Sequence, residues 1–189
     1  MAKEFEIKFI SVNVPLVREK LKHLGFSCVT PEFLMLRKTF HPISAQKNEW
    51  FRLRKEANKA TMTYKCIHSK EIDGVEEYEI VIDNIDSATE ILLKTWLKNT
   101  STQENKREIW MDWNVEVCID TWPGLNPYIE IEGKDSDIVK TYVEKLWFNI
   151  KEWLYWGSEV VYEKELGIPV DILIKLPEIT FDNPPTALW

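Results

Sequence analysis

What most limits the folds open to this chain is an alternation that recurs from one short segment to the next. Over Lys3 to Ile10, Glu4, Glu6 and Lys8 fall on one face and Phe5, Ile7 and Phe9 on the other, which is the period of a β-strand. Arg52 and Arg54 repeat the pattern. So do Lys65 with Thr61 and Thr63, Glu77 with Glu79, Glu116 with Asp120, and Glu130 with Glu132. One such strand alone would turn its charged face to water. A set of about eight, joined by short turns and accompanied by helices with apolar stripes, admits another arrangement. The helices cover the apolar faces, and the charged faces line an interior. The expected class is α+β: a closed eight-stranded antiparallel β-barrel (a tunnel) with flanking helices.

The remaining elements follow from local signals. Asn13 to Gly25 predicts an amphipathic helix, with Asn13 as cap, Pro15 in the first turn, an apolar stripe of Leu16, Val17, Leu21 and Leu24, and Gly25 as terminator. Strands are expected at Phe33 to Phe40, Trp50 to Lys55, Thr61 to Ile67 and Val75 to Ile82, with Asp73-Gly74 as a turn. A second helix is expected over Ser87 to Leu97, capped by Ser87 with Glu90 in the capping-box position. Strands resume at Arg107 to Met111, Val115 to Asp120 and Tyr128 to Gly133. Asp135 to Trp147 reads as a third helix, and Ser158 to Leu166 as a short fourth ended by Gly167.

Residues 1–167 are thus expected to form the tunnel domain. Residues 168–189 carry four prolines among Ile172, Leu173, Ile174, Leu176, Ile179 and Phe181, too apolar a mixture for a solvated tail. An extended segment packing on the domain or on a partner subunit is expected there. Tryptophans such as Trp96, Trp110, Trp147, Trp153 and Trp156 are expected to bury area in the core, and His41, beside Pro42, to be a turn residue without a catalytic role.

Composition narrows the ligand. With 31 Asp and Glu against 24 Lys and Arg, the net charge of −7 disfavours unaided binding to nucleic acid or to an anionic membrane. An anionic ligand therefore needs a local basic cluster. Cys28, Cys66 and Cys118 are scattered, and His23, His41 and His68 have no ligand spacing, so neither a disulfide framework nor a structural zinc site is expected. No apolar stretch approaches the roughly 18 to 20 residues that span a bilayer. The start of the chain has no signal-peptide character. A cytoplasmic setting is expected.

Enclosing charges of both signs is costly unless a charged ligand compensates them. Arginine suits bidentate contact with phosphate oxygens and lysine adds a compact positive charge, so Lys8, Arg52, Arg54, Lys65 and Arg107 are candidate phosphate-binding residues. Carboxylates repel phosphate unless a cation lies between them. Glu4, Glu6, Asp120, Glu130 and Glu132 are accordingly candidate ligands for Mg2+ or Mn2+, which favour hard oxygen donors. Glu77 and Glu79 either join the metal site or hold the basic residues by ion pairs, and the supporting role is the preferred reading. The chemistry implied is attack at phosphorus: water gives hydrolysis and a ribose hydroxyl gives cyclisation. No general base is identified.

These residues also carry a resemblance. Glu4-Phe5-Glu6-Ile7-Lys8 resembles the ExExK signature of the CYTH superfamily, the triphosphate tunnel metalloenzymes. Arg52-Leu53-Arg54 resembles the RxR strand of that family, Thr63-Tyr64-Lys65 its TxK strand, Glu77-Tyr78-Glu79 its following ExE strand, and Ile119-Asp120 through Tyr128-Ile129-Glu130-Ile131-Glu132-Gly133 its late acidic segment. Lys106-Arg107 sits where the family has a basic pair. The resemblance runs in order over about residues 3 to 166 and implies an eight-stranded antiparallel tunnel, divalent-metal dependence and a triphosphate-bearing substrate. Members include class IV adenylyl cyclases, thiamine triphosphatases and inorganic tripolyphosphatases. Tripolyphosphate, thiamine triphosphate and ATP are therefore the expected partners, hydrolysis the expected reaction, adenylyl cyclisation the enzymatic alternative, and a non-catalytic polyphosphate-binding module the alternative of another class. A homodimer is a reasonable expectation.

Overall fold

A computed structural model describes residues 5–43, 49–67, 75–154 and 157–187. In chain order the elements are β1 (Phe5–Phe9), α1 (Val14–His23), β2 (Ser27–Pro42), β3 (Glu49–Lys55), β4 (Ala60–Ile67), β5 (Val75–Ile82), α2 (Ile85–Lys94), β6 (Leu97–Met111), β7 (Val115–Thr121), β8 (Tyr128–Gly133), α3 (Ser136–Lys145), α4 (Glu159–Leu166), α5 (Val170–Leu173) and β9 (Glu178–Ile179). The class is α+β. The Asp73-Gly74 turn, Glu4, His68 and Trp156 lie outside the described residues.

The chain divides into two compact units. The first takes the residues up to Phe33, Asn105–Ile174 and those from Pro184 onward; the second takes Leu34–Glu104 and Lys175–Asn183. The long strands β2 and β6 contribute a portion to each.

In the first unit the strand order is β1-β8-β7-β6-β2. One face carries Ile7 and Phe9, Ile129 and Ile131, Val117 and Ile119, and Trp110. Val17 and Leu21 of α1 and Val139, Val143 and Leu146 near α3 pack on it. The period of 2 therefore leaves the charged residues on the opposite face. In the second unit the order is β6-β2-β3-β4-β5, all antiparallel, and Ala88 and Leu92 of α2 cover Phe40 and Leu53.

Helix starts follow side-chain caps. Asn13 Oδ1 accepts from the Leu16 amide at 3.1 Å and Asp135 Oδ1 from the Ile138 amide at 2.8 Å. The expected Ser87 cap is corrected: Asn84 Oδ1 accepts from the Ser87 amide at 2.7 Å, and the helix begins at Ile85. Asn competes at least as well as Ser for this role, so the earlier cap takes the helix start.

The first three helices end alike. Leu24, Thr95 and Leu146 are the C-caps, and each is followed by a left-handed residue and then an apolar one. The left-handed residues are Gly25 (φ 86°), Trp96 (φ 67°) and Trp147 (φ 64°). After α1 and α3, the Phe26 and Phe148 amides bond back to the Leu21 and Val143 carbonyls at 3.0 Å, closing Schellman turns. Phe26 and Leu97 are buried and Phe148 packs on the core, while the tryptophans point outward, 79 % and 78 % exposed. This corrects the expected burial of Trp96 and Trp147; Trp110 is buried and Trp153 packs against the core.

Two strands are longer than their sequence suggests. β2 begins at Ser27 rather than Phe33, and β6 at Leu97 rather than Arg107. Leu97 to Lys106 is almost wholly polar and shows no apolar alternation, so it reads as loop; ladder pairing, not pattern, makes it a strand. His41 consequently lies inside β2 rather than in a turn, with Nδ1 2.8 Å from Thr100 Oγ1.

The last residues form more than an extended segment. After α5, β9 pairs in parallel with β6, Thr102 opposite Glu178 and Gln103 opposite Ile179. The Ser101 hydroxyl donates to the Leu176 carbonyl at 2.9 Å, and the Phe181 amide to Glu104 at 3.1 Å. Leu173 and Ile179 are buried. Cys28, Cys66 and Cys118 are free thiols, and among the described residues no helix is long and apolar enough to cross a membrane.

Candidate active site

In the first unit, cross-strand register sets the chemistry. Glu6 lies opposite Glu132 and Lys8 opposite Glu130; Glu116 lies opposite Glu132, Cys118 opposite Glu130, and Arg107 opposite Asp120. All share the face that the helices do not cover. Lys8, 2 % exposed, bonds to Glu6 and lies 3.3 Å from Glu130. Burial pulls the Lys8 ammonium down, but Glu130 and Glu6 outweigh it and the net shift is upward. Arg107 Nε and Nη2 donate to the two oxygens of Asp120 at 2.7 and 2.5 Å, and Nη2 also to Glu130 at 2.5 Å. Burial again opposes the charge, and Asp120 and then Glu130 hold the guanidinium well above its ordinary value.

Glu6, Glu132 and Glu116 form a row across three consecutive strands. Like charges directly opposite one another are destabilising, and a row of carboxylate oxygens suits a hard divalent cation. By donor type alone, such a row is of the kind that takes a hard divalent cation. Among the described residues no three acidic, histidine or cysteine side chains converge as a metal cluster, and Glu4, the remaining candidate, is outside them.

The second unit carries the opposite sign. Arg52 lies opposite Thr63 on β4 and Thr39 on β2; Arg54 lies opposite Thr61 and Arg37. Lys65 faces Glu77 across the β4–β5 ladder, with a contact of 2.8 Å, and the Thr63 hydroxyl donates to Glu79 at 2.7 Å. Arg52 approaches Glu77 and Glu79 only to 4.0 Å, and its buried Nε has no hydrogen-bond partner among the described residues. Burial, then neighbouring Arg54, pulls the Arg52 guanidinium below its ordinary pKa. Arg54 Nε lies 2.7 Å from Glu56 but is not aligned for a hydrogen bond. Thr61, also buried, has an unpartnered hydroxyl beside it.

Two residues on these faces escape a reading from motifs. Arg37 stands opposite Arg54, and its guanidinium donates to the Met35 thioether at 3.3 Å. Asn105, fully buried, donates to Asp120 at 3.4 Å. Continuing the period of 2 along β2 and β6 would have flagged both.

Residues 2–156 match the CYTH domain. The chain belongs to the CYTH family. A curated relative from Methanocaldococcus jannaschii, named "Putative adenylate cyclase MJ0240", is 30 % identical over 139 residues, spanning 71 % of this chain and 79 % of the relative. The CYTH fold recurs in a solved structure from Vibrio parahaemolyticus with a TM-score of 0.70 at 13 % identity, covering 85 % of this chain and 97 % of that one. A Pyrococcus horikoshii protein matches with a TM-score of 0.63 at 21 % identity, covering 80 % and 94 %. Strands β1 to β8 are the antiparallel strands of the CYTH tunnel fold. Their ladders run as an open path among the described residues.

Proposed function

We infer that this CYTH protein is a divalent-metal-dependent enzyme that hydrolyses a phosphoanhydride bond in a triphosphate-bearing small molecule. The observation that carries this reading is Arg52. It is mostly buried and depressed in pKa by that burial, and among the described residues it comes no closer than 4.0 Å to a carboxylate and its Nε has no hydrogen-bond partner. A buried polar group without a partner costs free energy, and a charged one costs more. A phosphate oxygen would satisfy it. Arg54 and Lys65 of the same unit add charge of the same sign, and Glu77 and Glu79 orient these cations. Bidentate arginine contacts fix a phosphate as well as neutralise it.

On the acidic face, Glu6, Asp120, Glu130 and Glu132 would hold Mg2+ or Mn2+. When bound, such an ion neutralises phosphoryl oxygens and brings the nucleophile into line. Lys8 stays protonated at neutral pH because Glu130 and Glu6 outweigh its burial, so it remains a cation for an incoming phosphate. Adenylyl cyclisation is the second reading, supported by the name of the Methanocaldococcus relative.

Product analysis separates the two. With Mg2+ or Mn2+ and tripolyphosphate, thiamine triphosphate or ATP, hydrolysis releases phosphate, and cyclisation yields cyclic AMP and pyrophosphate. Arg52→Ala is expected to lower kcat/KM by roughly a hundredfold, the worth of a charge-assisted hydrogen bond or two. It should not lower thermal stability, because it removes a poorly compensated buried charge. Unchanged turnover in a folded Arg52→Ala protein would refute the reading.

A further inference from the structure

Helices α1 and α3 lie in the first unit, and on their outer side is a groove of about 440 Å3. Leu16, Glu19, Lys20 and Leu24 line it from α1 and its cap, and Lys145 and Trp147 from the end of α3. Trp147 is the unusual member. Glycine supplies a left-handed backbone at no steric cost, yet here the chain sets an indole at φ 64° and leaves it 78 % exposed. The ring is nevertheless held. Lys20 donates to the Leu146 carbonyl at 2.8 Å and stands 4.0 Å from the ring centroid, so the ammonium occupies one face of the indole. An exposed aromatic already fixed in place loses little freedom on docking, as an interface anchor requires.

The apolar surface continues on both sides of that ring. Leu16 is 45 % exposed and Leu24 half-buried. Trp113 is fully exposed on the turn whose Asp112 accepts a hydrogen bond from Tyr142 of α3, and Lys145 acts on the charge of the same Asp112. The groove carries both signs on opposite walls, with exposed Glu19 on α1 and exposed Lys145 on α3. Glu19 forms no ion pair among the described residues. A partner of uniform charge would leave one of the two facing its own sign. A two-fold axis between the helices sets α1 of one copy against α3 of the other, so every Glu19 meets a Lys145 and the patch is complementary to itself.

We propose that the α1–α3 groove is the surface through which two copies of this chain pair, with Trp147 of each copy anchored in the groove of the other and Glu19 paired with Lys145 across the two-fold axis. These residues stand on the helices that cover the apolar face of the sheet, so the pairing leaves the charged face untouched.

Sedimentation equilibrium of the full chain at micromolar concentrations tests it, and the wild type is expected to dimerise in that range. Trp147→Gly removes the ring and suits the left-handed backbone. It should stay folded by circular dichroism and weaken the dimer by about thirtyfold or more, the loss when an aromatic anchor is removed. Charge reversal identifies the partner as a second copy. Glu19→Lys and Lys145→Glu, both at exposed positions, should each weaken the dimer by setting like charges opposite one another. The double variant should regain most of the wild-type affinity, because the pair returns with its signs exchanged. A wild type that stays monomeric assigns the groove to another partner or to none and overturns the proposal. So does a dimer indifferent to Trp147→Gly or to the single charge reversals, or a double variant no tighter than the single ones. Should Trp147→Gly fail to fold, the charge variants decide the matter.

Discussion

The three similar helix ends make opposite demands of glycine and alanine from those of an ordinary helix. At Gly25 an added Cβ would meet nothing within 4 Å, so Gly25→Ala isolates the cost of the left-handed backbone. That cost is about 1 to 2 kcal/mol for a residue with a Cβ. Trp96 and Trp147 already bear it at φ 67° and 64°. Replacing either by Ala and by Gly removes the same ring in both cases, and only Gly relieves the backbone. The Gly variant should therefore exceed the Ala variant by about 1 to 2 kcal/mol at both positions, with Gly25→Ala losing a similar amount. For a chain of this size, that is a difference of roughly 2 to 8 °C in midpoint. Lys20 Nζ sits 4.0 Å from the Trp147 ring centroid, a contact that both Trp147 variants lose, so it cancels from the comparison. Calorimetric unfolding of the five variants supplies the numbers. Alanine equal to or better than glycine at positions 96 and 147 would refute the assignment of strain to these turns.

Two further outcomes follow from charged groups in the first unit. Burial pushes Glu108 up, but hydrogen bonds from Arg18 and Trp110 outweigh it, so its folded pKa lies below the ordinary 4.5. Its stabilisation is complete above 4.5 and is lost as pH falls through the lowered value, so urea midpoints of Glu108→Gln and wild type should converge below that pH and separate above it. In the Glu6–Glu132–Glu116 row, Mn2+ at about a hundred times its dissociation constant should stabilise the wild type by about 2.7 kcal/mol. Glu132→Gln should reduce that gain at the same Mn2+ concentration in a thermal-shift measurement, and an undiminished gain would remove Glu132 from the cation site.

Sequence period was a good guide where one face is apolar and a poor one where it is not. β5 and β8 have the expected ends because both alternate, whereas Leu97 to Lys106 offers mostly polar side chains and takes strand form from pairing with its neighbours. Motifs placed Lys8, Arg52, Arg54 and Lys65 on strands β1, β3 and β4 and Glu130 and Glu132 on β8, because alternation fixes which side chains share a face. Register is another matter. That Arg37 stands opposite Arg54, or Glu116 opposite Glu132, depends on ladder alignment between segments far apart in the chain, for which the residues carry no local signal. The outward tryptophans have a similar origin, since composition favours their burial and only the left-handed turn after the helix turns them away.

Register also separates residues that chemistry groups together. Arg52 and Arg107 are both partly buried arginines on charged strand faces, but their carboxylates stand at different distances. At 2.5 to 2.7 Å, Asp120 and Glu130 satisfy Arg107 through hydrogen bonds as well as charge, and its pKa rises despite burial. At 4.0 Å, Glu77 and Glu79 offer Arg52 Coulomb attraction without hydrogen bonds, and burial prevails. The first arginine is compensated by the protein, whereas the second lacks a hydrogen-bond partner for Nε among the described residues, which is why the proposed phosphate site is built on it. On the acidic face, Lys8 and Arg107 bring two positive charges against Glu6, Glu116, Asp120, Glu130 and Glu132. Both are held near Asp120 and Glu130, with Lys8 shared by Glu6. Under the proposed function a divalent cation on this face should therefore be felt by Glu6 and Glu132, which the Glu132→Gln measurement reads.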